Sequence, residues 1–144
     1  MTKTVRDMMT KSVQTLGPTD TVTQAARLMK DLDVGSIPVV ENGQVCGIIT
    51  DRDIVLRVVA SGGDADRRNI REVMSERIVV AAPDWELAKA AKTMADEQIR
   101  RLPVVENGKL VGMLALGDVA VDGNKDRVSG EALSEISAPS HPKQ

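Results

Sequence analysis

Aromatic side chains are almost missing from this chain: it has no Phe, no Tyr and a single Trp, Trp85. Any core must be built from Val, Ile, Leu, Met and Ala. One cysteine, Cys46, excludes an intrachain disulfide framework, and one Cys with one His, His141, cannot supply a zinc site of common type. Cys46 lies in an apolar segment and reads as a core thiol rather than a redox sensor. Base is not in surplus either. A net charge of −2 gives no reason to expect nucleic-acid or membrane-surface binding. No apolar run reaches 18 residues, and Met1 to Asp7 lacks the hydrophobic region of a signal peptide, so a soluble cytoplasmic protein is expected. Walker-type glycine loops, HExxH, GxSxG and a Cys-His pairing are absent, and no carboxylates form an obvious acid/base pair. The expectation is a protein that is not an enzyme.

What is present is a repeat. Pro38-Val39-Val40-Glu41-Asn42-Gly43 recurs 65 residues on as Pro103-Val104-Val105-Glu106-Asn107-Gly108. The same offset, without a gap, superimposes Arg6 on Arg71, Met9 on Met74, Pro18 on Pro83, Ala25-Ala26 on Ala90-Ala91, Met29 on Met94, Asp31 on Asp96, Gly47 on Gly112 and Asp53 on Asp118. The chain is an internal duplication. Each Asn-Gly pair tolerates the positive φ angles of a type I′ turn and predicts a hairpin, with return strands at Val45–Ile49 and Leu110–Leu114.

Val5 to Met9 and Ile70 to Met74 read as short helical lead-in turns. Val13–Leu16 and Ile78–Ala82 are β-branched or apolar enough to predict strands, ended by Pro18 and Pro83. Val22, Ala25, Ala26, Met29 and Leu32 recur at helical spacing behind a cap at Thr21 or Asp20, as do Leu87, Ala90, Ala91 and Met94. Met29 and Met94 read as core filler rather than a binding groove. Thr50-Asp51-Arg52-Asp53 opens a further helix through Ile54, Val55, Val58 and Val59. Each half is therefore β-α-β-β-α, its first two strands parallel and its hairpin antiparallel. The organisation is a first repeat over 1–60 with its lead-in turn, a polar linker over 61–69, a second repeat over 70–121, and a disordered tail over 122–144 that makes His141 an unlikely catalyst.

Binding chemistry gathers at the edges of the repeated strands. Thr50 and Asp53 stand where a strand becomes a helix, a place suited to phosphate and ribose, and Arg52 lies between them. Arg100 and Arg101, just before Leu102-Pro103, are guanidinium groups suited to phosphate oxygens or else a solvated pair. Thr50-x-x-Asp53 is equally a capping-box variant. In the second copy Ala115 replaces the hydroxyl while Asp118 is kept, so that acid is expected to have no capping partner.

Two β-α-β-β-α copies, each with a hydrophobic-Pro-Val-Val strand and an Asn-Gly turn, resemble a tandem cystathionine β-synthase (CBS) domain pair, or Bateman module. The first also carries a Gly-x-x-(Ser/Thr)-x-x-Asp ending at Gly47-Ile48-Ile49-Thr50-Asp51-Arg52-Asp53, and the likeness covers residues 5 to 121. The resemblance implies an α/β (mixed α+β) fold, with repeats packed about a pseudo-twofold axis around two clefts. It implies an adenosine-containing regulatory ligand, such as AMP, ADP, ATP, S-adenosylmethionine or NAD, and no required cofactor. Carried onto this sequence, a main cleft joins Thr50, Arg52 and Asp53 to Ile78, Val80, Arg100, Arg101, Leu102 and Pro103. A weaker one joins Asp118 to Thr10, Val13, Thr15, Gly35, Ser36, Ile37 and Pro38. The resemblance also implies a homodimer, a disc of four repeats. Its interface is expected on the Val22–Leu32 or Leu87–Met94 face, with Trp85 as an anchor or an exposed edge residue. Output would pass to a separate effector. A ligand-free docking protein is the competing reading.

Overall fold

The computed structural model describes residues 2–121, with the side chain of Val121 left out. The tail expected over 122–144, with His141, lies outside the described residues. The elements run α1 (Val5–Met8), α2 (Val22–Leu32), β1 (Ser36–Glu41), β2 (Gln44–Thr50), α3 (Asp51–Ile54), α4 (Ile70–Val73), α5 (Leu87–Glu97), β3 (Arg101–Glu106), β4 (Lys109–Ala115) and α6 (Leu116–Val121). A π-helical segment, Val55–Val59, continues α3, and a 3-10 turn spans Ala65–Arg67. The fold is α+β.

Local chemistry accounts for the elements. Thr21 caps α2: its hydroxyl accepts from the Gln24 N–H at 3.2 Å, and Gln24 Oε1 accepts from the Thr21 N–H at 2.7 Å. Asp20, the other candidate, instead accepts from the Gly17 N–H at 2.8 Å and closes the preceding turn. Both hairpins turn on two residues of positive φ, Asn42 at 54° with Gly43 at 79° and Asn107 at 56° with Gly108 at 80°. These are type I′ angles, and β1 pairs with β2 antiparallel from Ser36↔Thr50 to Glu41↔Gln44.

The strands expected at Val13–Leu16 and Ile78–Ala82 do not form. Each is reduced to one parallel bridge, Leu16↔Val39 and Ala81↔Val104. Proline is the cause. Leu16 donates to the Pro38 carbonyl and accepts from the Val40 N–H; Ala81 donates to the Pro103 carbonyl and accepts from the Val105 N–H. The next bond on one side would need an N–H from Pro38 or Pro103, and on the other from Pro18 or Pro83. None has one.

The chain forms two compact units, and they cut across the repeats. The first-hairpin unit is Gln14–Ile78 with Asn107–Leu110; the second-hairpin unit takes residues 2–13, 79–106 and 111–121. Each lead-in turn therefore belongs with the hairpin of the other copy. The first-hairpin core of Val22, Ala25, Met29, Ile37, Val39, Ile49 and Val58 is completed by Ile70, Val73 and Met74. The second-hairpin core includes Ala81, Leu87, Ala90, Ala91, Met94, Leu102, Val104, Leu114, Leu116 and Val119, and is completed by Val5. Full burial of such aliphatic side chains contributes about 1.5–3 kcal/mol each.

The seating explains several repeated identities. Ile48 and Ser75 exchange two backbone bonds of 2.9 Å, as do Thr10 and Met113. A Cβ at Gly47 would lie 2.8 Å from the Ser75 carbonyl oxygen and from Met74 Sδ; one at Gly112 would lie 2.5 Å from Met9 Sδ. Only glycine admits that approach. Arg71 pairs with Glu41 at 2.9 Å and Arg6 with Glu106 at 3.0 Å, closing the far end of each seat.

The apolar faces of α2 and α5, proposed from the sequence to cover a sheet or meet a partner, are spent inside these cores. Exposed apolar surface lies instead at Leu32, Val55, Leu56 and Val59. Trp85 is half-buried, with the Lys89 ammonium 4.2 Å from its ring centroid.

Candidate functional site

In the first-hairpin unit, β2 delivers Thr50 to the start of α3. Thr50 Oγ1 accepts from the Asp53 N–H at 3.0 Å, and Asp53 Oδ2 accepts from the Thr50 N–H at 2.9 Å. The capping box is fully formed, so this acid has structural work in the folded chain. Its Oδ1 lies 4.0 Å from Arg57 Nε. Arg57 Nη1 in turn donates to the carbonyls of Val73 at 2.8 Å and Met74 at 3.3 Å, where α4 ends. This arginine was missed in the sequence because its partners are 16 and 17 residues away.

Asp51 N–H donates to the Gly35 carbonyl at 2.9 Å, tying the loop before β1 to the first residue of α3. The Asp51 carboxylate lies against the bare Cα of Gly35, with Oδ2 3.0 Å from where a Cβ would stand. Arg52 is exposed, and Ser36 is half-buried.

The second-hairpin unit repeats this construction with different side chains. Leu116 N–H donates to the Arg100 carbonyl at 2.8 Å, tying the loop before β3 to the first residue of α6. Asp118 Oδ2 accepts from the Ala115 N–H at 2.8 Å. This corrects the sequence expectation that Asp118 lacks a capping partner. The half of a capping box that reaches back to the N-cap amide needs no hydroxyl, so it survives the change to alanine. Beside it an open cavity of about 290 Å³ is lined by Arg100, Arg101, Ala115, Leu116, Gly117 and Ala120. That volume is close to the lower end of ligand pockets, about 300–1,000 Å³. Both arginines are exposed, and neither has a carboxylate within 4.0 Å among the described residues.

The residues named from the sequence divide between the units. Thr15, Gly35, Ser36, Ile37, Pro38, Thr50, Arg52, Asp53 and Ile78 belong to the first-hairpin unit; Thr10, Val13, Val80, Arg100, Arg101, Leu102, Pro103 and Asp118 belong to the second. Arg100 and Arg101 stand together at the cavity, at the start of the helix that carries Asp118. Ile37 and Leu102 are core side chains, at 1% and 0% exposure. Gly117 and Ala120 were not singled out in the sequence; their small size leaves the cavity open. Cys46 is half-buried and donates to the Val39 carbonyl at 3.5 Å. Burial, with the Glu41 charge behind it, pushes its thiol pKa up. Among the described residues no three His, Cys, Asp or Glu side chains gather as metal ligands, and no helix is long and apolar enough to cross a membrane.

Residues 5–60 and 70–121 each match the CBS domain. The chain belongs to the CBS domain family. As a tandem CBS pair it is 47% identical over 133 residues to the CBS domain-containing protein YhcV of Bacillus subtilis, covering 92% of this chain and 94% of that one. A putative acetoin utilization protein (AcuB) from Vibrio cholerae is similar in structure, with a TM-score of 0.78 and 33% identity over 96% of this chain and 100% of the other. The CBS domain pair of protein MJ0100, in complex with 5-methylthioadenosine and S-adenosyl-L-methionine, has a TM-score of 0.73 and 25% identity. That match covers 87% of this chain and 99% of MJ0100's pair.

Proposed function

We propose that this CBS pair is a non-enzymatic regulatory module that binds an adenosine-containing ligand and passes its occupancy to a separate effector. The observation that carries the reading is the cavity beside Arg100, Arg101 and α6. Its floor of Ala115, Leu116, Gly117 and Ala120 suits the faces of a nucleoside. Asp118 keeps one carboxylate oxygen without a hydrogen bond among the described residues, able to accept from a ribose hydroxyl. Two guanidinium groups without carboxylate partners suit phosphate oxygens. The adenosyl ligands of MJ0100 support the same ligand class. Signalling then requires that ligand affinity differ between two arrangements of the protein, so that binding shifts their populations. Within the same proposal, a second copy of this chain covers the exposed Val55, Leu56 and Val59.

The test is a thermal melt with AMP, ATP, S-adenosylmethionine and NAD in turn, alongside mass spectrometry of small molecules released from the purified protein. A true ligand at 100 times its Kd stabilises by about 2.7 kcal/mol. A protein indifferent to all four, releasing no adenosyl compound, is a docking scaffold instead. One observation favours that second reading: Asp53 and Asp118 both cap helices and so have work without any ligand.

A further inference from the structure

The two copies of the loop-to-helix tie are locally equivalent. Gly35 accepts from Asp51 at 2.9 Å, and 65 residues on Arg100 accepts from Leu116 at 2.8 Å. Chemistry at the two places is opposite. Around α6 stand two bases, Arg100 and Arg101, and one acid, Asp118; around α3 stand two acids, Asp51 and Asp53, and one base, Arg52.

Building on the adenosyl-ligand reading, we propose that Asp51 is a specificity-determining residue. It turns phosphorylated ligands away from the α3 place, so that the chain holds its one anionic ligand beside α6. Asp51 can do this because residue 35 has no side chain. Its carboxylate rests on the Gly35 Cα, in the position that corresponds to the open side of the α6 cavity. Oδ1 accepts from the Arg52 N–H at 2.8 Å, which fixes the group, and Oδ2 takes no hydrogen bond among the described residues. No cation lies within 4.0 Å of it among the described residues. A phosphate arriving there meets a fixed, unneutralised negative charge, whereas a neutral nucleoside does not. Discrimination by repulsion is a common route to specificity, and at an exposed position it weakens as salt rises.

Isothermal titration of AMP and adenosine at low salt decides the matter, using the full chain, Asp51→Asn, and the double variant Arg100→Gly/Arg101→Ser, which writes the first copy's residues into the second. Asp51 is exposed, so Asp51→Asn is expected to fold as the wild type does. The wild type is expected to take one AMP per chain tightly. Asp51→Asn should strengthen a second AMP event by about tenfold and leave adenosine unchanged, with the gain shrinking in high salt. The arginine variant should weaken the first AMP event by a similar factor and spare adenosine. If AMP binds the wild type but Asp51→Asn changes nothing, or moves AMP and adenosine equally, the role of Asp51 is refuted while the adenosyl reading stands. If neither compound binds any of the three proteins, both are refuted.

Discussion

Asp53 and Asp118 carry the same bond, a carboxylate oxygen accepting from the amide that opens the helix, at 2.9 and 2.8 Å. Asp53→Ala and Asp118→Ala should therefore each cost the ligand-free protein about 1 kcal/mol, the usual worth of a helix cap. Urea melts check this, and an Asp118→Ala protein as stable as the wild type would contradict it. That the acids recur was legible in the sequence; what they do was not. A capping box is recognised by its hydroxyl, and Ala115 hid the half that needs only a backbone amide. The other repeated residues behave likewise. Arg6, Arg71, Glu41 and Glu106 are visible as identities, yet their pairs form across 100 and 30 residues, and nothing in one sequence says which arginine meets which glutamate.

The helices and hairpins were readable because their signals are local. Thr21 with Gln24 starts α2, and Asn-Gly closes both turns. The first strand of each copy was misread because its fate depends on register. Pro18 and Pro38 block the ladder only when Leu16 lies beside Val39, and that pairing is a tertiary fact. The lead-in turns are governed by acids at their third positions. The Thr4 N–H donates to Asp7 and the Asn69 N–H to Glu72, each at 2.9 Å, and these bonds hold both carboxyls below their ordinary pKa. A carboxyl whose folded pKa is depressed contributes stability that is fully present above its unfolded pKa and lost as pH falls through the folded one. The melting temperature should thus drop as pH falls below about 4.5, and continue to drop below the ordinary carboxylate range. Asp7→Asn with Glu72→Gln should flatten that slope in melts taken from pH 6 to 3, values chosen to span about a unit or more on either side of the ordinary range. An unchanged slope would place the acid sensitivity elsewhere.

At the scale of the whole chain, the repeat boundaries could be read from the sequence and the packing units could not. Identity at a fixed offset locates copies, but it is silent about whose hairpin receives which lead-in turn. The assignment can be checked through the single tryptophan. Val5 and Arg6 donate to the carbonyls of Trp85 and Pro83, both at 2.9 Å, and Val5 is fully buried in the core around α5. Deleting residues 2–13 should therefore shift Trp85 emission to the red and destabilise the second-hairpin unit, although Trp85 is more than 70 positions downstream. Emission unmoved by the deletion would show that α1 docks elsewhere.

The exchanged lead-in turns bear on how such a gene can be divided. Cut within 61–69, the protein would yield two polypeptides, each carrying the peg that fits the other's socket and lacking its own. Neither alone would be a finished product. Expressed side by side, they would have to find each other to complete their interiors, so a duplication of this kind, once made, is hard to undo.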